Sequence, residues 1–231
     1  MYYDWTYILV LVGAALCLLA SGLVRIVYAK YAKVAGACGM TGRQVAEEIL
    51  RRNNITDVQV MHVAGQLTDH YDPARKVVNL SDATYSSRSI AAVAVAAHEC
   101  GHVCQHAEYY LPLAIRSAVV PAANIGSQLG LPMVVFGVIL GYIRPLIVVG
   151  IVLFTAAVLF QFVTLPVEFN ASSRAIGMLE NYGILSADEN SSARKVLMAA
   201  ALTYVASAAS SVLQLARLLL IANRGNGRRR R

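Results

Sequence analysis

Apolar positions in this chain gather into four long charge-free runs, at residues 5–24, 117–143, 145–167 and 196–216. Each is 20 residues or longer, enough for an α-helix to cross a hydrocarbon layer about 30 Å thick. Helix is the predicted state, because a backbone in lipid must satisfy its own hydrogen bonds. The second and third runs form a hairpin, broken at residues 141–145 with Arg144 at the turn, closed by Pro166 and followed at once by Glu168. Gly126, Gly130 and Pro132 interrupt the first arm, so 111–131 is expected to lie partly along the interface rather than to cross. The fourth run, rich in Ala and Ser, is expected to pack against the polar part or re-enter rather than cross.

Between the first two runs the periods shorten. Thr41-Gly42-Arg43-Gln44 reads as a capping box opening a helix through Val45, Ile49 and Leu50, ended by Asn53-Asn54. Residues 58–63 and 76–80 alternate as strands, and the stretch 65–73 between them is dense in turn formers. A small antiparallel sheet is expected, with the strand at 77–80 offered as an edge for an extended peptide. Ser87 or Ser89 caps a helix that begins with the Ala/Val run 90–97. That run is apolar on every face, as befits a helix at the centre of a domain.

Composition agrees with a membrane protein: 57% of residues are hydrophobic and 14% charged, against about 45–50% and about 25% in soluble domains. Residues 1–6 carry Asp4 and no Lys or Arg, while Arg25, Lys30 and Lys33 follow the first run. An uncleaved anchor is therefore expected instead of a signal peptide. Much of the net charge of +7 comes from Arg224 and residues 228–231, a tail suited to anionic lipid heads. No aromatic-rich or basic fold motif accompanies it, and no nucleic-acid partner is expected. The expected class is an α-helical membrane protein carrying a small α+β domain. Its parts are an anchor (5–28), the domain with the sheet and the Ala/Val helix (29–110), an interfacial segment plus hairpin (111–167), a second helix and connection (168–195), and a C-terminal hydrophobic helix with a basic tail (196–231).

The chemistry lies at the end of the Ala/Val helix, in His98-Glu99-Cys100-Gly101-His102. Residues four apart share a helix face, so both imidazoles can reach one zinc ion, with Glu99 beside them to take a proton from water. Cys100 points to the opposite face and reads as core; with Cys17, Cys38 and Cys104 it forms no disulfide pattern. A catalytic zinc wants a third protein ligand and one open position. Glu168 qualifies, because two crossings return the chain to the side of the motif. His106 does not, since a straight helix carries it about 12 Å from His98. His62, His70, Asp69 and Asp72 are expected at the strand turn or against a substrate; His70, Tyr71 and Arg174 are candidates for stabilising an oxyanion.

Three segments carry a resemblance: residues 67–73 (Leu-Thr-Asp-His-Tyr-Asp-Pro), residues 89–99 ending in His98-Glu99, and residues 165–172 centred on Glu168. In these the chain resembles the YugP-type neutral zinc metallopeptidases of bacterial membranes. More distantly it is similar to the HtpX and CAAX-prenyl proteases, which also place a span pair between the His motif and a ligand Glu. The resemblance implies one zinc ion held by His98, His102 and Glu168, with Glu99 catalytic, in a gluzincin-like metalloendopeptidase cleaving membrane or membrane-proximal proteins. The distant relatives usually carry Asp four residues after the ligand Glu, where this chain has Ser172. A hydroxyl is expected to replace that carboxylate, or Asp69 or Asp72 to supply it. The basic residues Arg25, Lys30, Lys33, Arg116, Arg174, Arg194 and Lys195 favour an active site on the cytoplasmic face of a bacterial inner membrane. The rival reading is a non-catalytic scaffold with a structural zinc, which would require a fourth protein ligand. A transporter is disfavoured, because the four runs lack ionisable residues.

Overall fold

A computed structural model describes the backbone of residues 5–228 and side chains through residue 223. The expectations about Asp4 and the C-terminal arginine side chains fall outside the described residues. The chain divides into two compact units. One comprises Met1–Ala20, Ala114–Leu165 and Thr203–Arg231; the other comprises Ser21–Leu113 and Pro166–Leu202.

The second unit is built around helix α4 (Ile90–Ala107), opened by Ser89, whose hydroxyl accepts from the Ala92 N–H at 3.2 Å. Its Ala/Val positions from Ala91 to Ala97 are buried, except half-buried Val95. Helix α2 (Gly42–Arg52) starts at the Thr41 capping box, with the Gln44 N–H to Thr41 Oγ1 at 3.3 Å and the Thr41 N–H to Gln44 Oε1 at 2.9 Å. Its buried stripe of Val45, Ala46, Ile49 and Leu50 joins Val93, Ala97 and Cys100 of α4 in one core. Three strands follow α2: β1 (Gln59–Val63), β2 (His70–Asp72) and β3 (Val77–Ser81). Helix α3 (Asp82–Tyr85) is a single turn between β3 and α4.

The sheet differs from the antiparallel pair expected. Its order is β1-β3-β2, with β1 parallel and β2 antiparallel to β3. The turn formers explain the difference. Asp72 accepts from the N–H groups of Ala74 and Arg75 at 2.9 and 3.1 Å, so the tight turn joins β2 to β3 in a hairpin. The only side of β3 left for β1 is then reached parallel. The strand at 77–80 is therefore central and paired on both sides, not an edge for a peptide; the edges are β1 and β2.

The helix carrying Glu168 does not begin there, as the sequence suggested. Helix α6 runs unbroken from Arg144 to Asn181, with Pro166 inside it. One proline forfeits one helical hydrogen bond, and the long apolar run outweighs it. In the second unit α6 lies close against α4: a Cβ on Gly101 would stand 2.5 Å from the Ala171 carbonyl oxygen. Gly101 is the residue that permits this approach.

The first unit consists of the apolar part of α1 (Tyr7–Tyr31), most of α5 (Leu111–Ile139), the N-terminal part of α6 and the C-terminal part of α7 (Ala187–Arg228). Among the described residues these four helices are long and apolar enough to cross a membrane. The interruptions expected at Gly126, Gly130 and Pro132 are absent. Residues 111–131 form part of one continuous helix, because the small residues admit α6 and do not break α5. A Cβ on Gly126 would meet the Leu153 oxygen at 2.1 Å, and one on Gly130 the Phe154 nitrogen at 2.8 Å. The 196–216 run is the middle of the continuous helix α7 and not a re-entrant piece: its start packs as expected, with Val196 and Leu197 in the core around α4, and in the first unit Gly13 of α1 packs on Ser210. Gly141, at φ +94°, makes the α5–α6 turn.

Candidate metal centre

His98 and His102 stand one turn apart on α4, rings nearly perpendicular with centroids 4.8 Å apart. Glu168, on α6, brings its carboxylate between them: Oε2 is 3.4 Å from His98 Nε2 and 3.6 Å from His102 Nε2. These separations exceed good hydrogen bonds. They match the spacing of ligands that share an ion, since two atoms each 2.0–2.1 Å from a tetrahedral zinc lie about 3.3–3.4 Å apart. Among the described residues this is the one cluster of three or more His, Cys, Asp or Glu donors placed to hold a metal. The Glu168 side chain is almost fully buried, where an anion needs a cation beside it.

The far nitrogen of each ring is also held. His98 Nδ1 meets Ser172 Oγ at 3.1 Å, so the hydroxyl at the position of departure from the distant relatives is the group supporting that ring. His102 Nδ1 meets Gln105 Oε1 at 3.0 Å. Both Nε2 atoms are thus left toward Glu168, the orientation a metal requires. Burial opposes a positive charge on His102, but the Glu168 and Glu99 carboxylates and the Gln105 oxygen outweigh it, and its pKa lies above the ordinary imidazole value. Glu99, buried, is the next residue along from His98, about 100° further around the helix.

The other residues singled out from the sequence are placed elsewhere. Asp69 accepts from both the N–H and the hydroxyl of Ser81 at 2.8 Å, fastening the turn to β3. Asp72 caps the β2–β3 hairpin, and neither aspartate reaches a metal-facing imidazole's supporting nitrogen. His70 has Nδ1 on the Thr68 carbonyl at 2.8 Å and Nε2 on the Asn79 amide at 3.2 Å. Tyr71 stacks edge-on against His106, its hydroxyl 3.4 Å from His106 Nδ1. This tyrosine and His106 border a cavity of about 190 Å³ that Ile55, Val58 and Val103 also line. Arg174 is paired with Glu108 at 2.8 Å and donates to Asn170 Oδ1 at 2.7 Å. His62 pairs with Asp82. Sequence reasoning missed Gln105, although a polar residue three positions after His102, and so on a neighbouring face of the same helix, was a usable signal.

With that geometry in hand, comparison with known proteins decides the family. Residues 6–223 match the family model described as "Putative neutral zinc metallopeptidase". The chain belongs to this family. It is also 47% identical over 194 residues, covering 84% of this chain and 86% of the relative, to the protein named "Putative membrane protease YugP" of Bacillus subtilis (strain 168). No solved structure matches. The chain is therefore a membrane protein of a zinc peptidase family, with a His98, His102 and Glu168 cluster fit for the metal that family name implies.

Proposed function

We propose that this chain is an integral-membrane zinc metalloendopeptidase that hydrolyses peptide bonds of membrane or membrane-proximal proteins. The carrying observation is the three-donor set at tetrahedral spacing, with both imidazoles turned toward Glu168 by partners on their far nitrogens. Three protein donors are the number of a catalytic zinc site, whereas a structural site is closed by four. That count favours the hydrolase over the scaffold.

In this reading His98, His102 and Glu168 would hold one zinc ion. Bound there, zinc supplies Lewis-acid polarisation of the scissile carbonyl and of the attacking water. Glu99 accepts the proton of that water and returns it to the leaving nitrogen, general acid–base work worth about 10²–10⁴-fold in rate. Ser172 keeps His98 in its metal-facing orientation. An extended substrate would pair with an exposed strand edge, and β2 is the edge nearer to α4 in its contacts, through Tyr71 and His106. Membrane-proximal substrates are favoured by chain position: Glu168 comes three residues after Leu165 on one continuous helix whose preceding run is charge-free and mostly apolar. The basic residues flanking the spans favour a cytoplasmic active site.

The test is cleavage of casein and of a membrane-protein substrate by purified protein in detergent, wild type against Glu99→Gln. The variant is expected to keep its zinc and to lose cleavage by about 10²-fold or more. Full cleavage by a zinc-loaded variant would refute the mechanism.

A further inference from the structure

Gln105 is fully buried on α4, with every polar atom of its side chain engaged. Its amide nitrogen donates to the Val167 carbonyl at 2.8 Å and to Asn170 Oδ1 at 3.0 Å; its oxygen faces His102 Nδ1 at 3.0 Å. Two groups fix the direction of this chain of bonds. A backbone carbonyl can only accept, so the Gln105 nitrogen must be the atom facing Val167. A guanidinium can only donate, so Arg174 Nε at 2.7 Å forces the oxygen of Asn170 toward it, and that same oxygen receives the second Gln105 N–H. Arg174 is itself held by Glu108 through two 2.8 Å contacts. The Gln105 oxygen is thereby committed to His102, where it can only accept. His102 therefore carries a proton on Nδ1, and Nε2 is the nitrogen left to face Glu168 and a metal.

We infer that Gln105 is a positioning residue for the metal centre. It sets the tautomer and ring orientation of His102 while tying α4 to α6 at Val167, the residue before Glu168. One side chain thus registers a donor on one helix against the donor on the other, and Asn170, Arg174 and Glu108 supply the polarity that makes the choice unique. The inference rests on the zinc reading only in taking His102 Nε2 as a metal donor.

The experiment compares wild type, Gln105→Leu and, as a packing control on the same helix, Val103→Ala. Two quantities are read. Zinc affinity is measured by chelator competition, and the His102 tautomer in the zinc-free protein by long-range ¹⁵N–¹H correlation of histidine-labelled samples, at a pH high enough for the ring to be neutral. Wild type and Val103→Ala should show His102 protonated on Nδ1, whereas Gln105→Leu should show the Nε2–H form or a mixture. Gln105→Leu should also bind zinc about 10–100-fold more weakly, a loss that Val103→Ala does not share at comparable thermal destabilisation. An unchanged tautomer in Gln105→Leu, or a zinc loss no greater than that of Val103→Ala, would overturn the inference. Wild type that takes up no zinc would instead refute the metalloprotease reading, while the tautomer comparison would still judge Gln105.

Discussion

At the scale of single residues, the site is two imidazoles whose far nitrogens are held by neutral groups, a hydroxyl on His98 and an amide on His102. The grouping of the two histidines with Glu168 was legible in the sequence, because a four-residue spacing on a helix and a pair of long apolar runs before Glu168 are properties of the chain alone. Which groups support the rings was not. Ser172 was one of several candidates, and Gln105 reaches Val167 and Asn170, 62 and 65 residues away. Removing the Ser172 hydroxyl leaves His98 Nδ1 without its partner, so Ser172→Ala should weaken zinc binding about 10–100-fold by chelator competition with the fold retained. Cys100, reading as core from its place between the histidines, is completely buried with its thiol 3.7 Å from the Ala46 carbonyl. Burial pushes its pKa well above the ordinary thiol value. It should resist alkylation in folded protein and react only after denaturation, as mass spectrometry would record, while half-buried Cys38 reacts first.

At the scale of elements, the pattern of apolar residues predicted helices correctly and their interruptions poorly. Gly126, Gly130 and Pro166 read as breaks, yet α5 and α6 run through all three. A glycine signals a weak helix only until a neighbouring backbone needs the space its missing side chain leaves. Gly101 and Gly177 make the contrast measurable. In an open helix position, replacing Gly by Ala gains up to about 1 kcal/mol. Gly177, where an added Cβ would meet nothing within 4 Å, should behave that way in thermal unfolding. Gly101→Ala should instead lose about 1–3 kcal/mol through overpacking against Ala171, and should weaken zinc binding because α6 carries Glu168. The sheet repeats the pattern. Alternation located β1 and β3, but strand order depended on which turn was tight, a matter settled by Asp72. Helix α2 offers a pH prediction. Glu48 is held at a pKa of about 2 by hydrogen bonds from Arg51 and Arg52. A depressed carboxylate pKa stabilises the fold at pH above its unfolded value and ceases to as pH falls through the folded one. Any contribution from this exposed cluster should therefore be constant above pH about 5 and fade between about 4.5 and 2, and a Glu48→Gln variant should lack that slope.

At the scale of the whole molecule, the chain combines four apolar helices with a unit whose helices α4 and α6 carry all three candidate metal donors. The same composition that set it apart from soluble proteins provides the first unit, and Ser21–Leu113 together with the C-terminal part of α6 and the N-terminal part of α7 provides the second. Family membership and the donor geometry point the same way from independent starting points, one from similarity along residues 6–223, the other from distances within a single cluster. The most direct measurement is X-ray absorption at the zinc edge with metal counting, on purified wild type and on Glu168→Ala. The expected result is one zinc per chain, bound by two imidazoles and a carboxylate at about 2.0–2.2 Å, and its loss or marked weakening in the variant. A sulfur shell near about 2.3 Å, or full zinc retention in Glu168→Ala, would contradict a centre built from His98, His102 and Glu168.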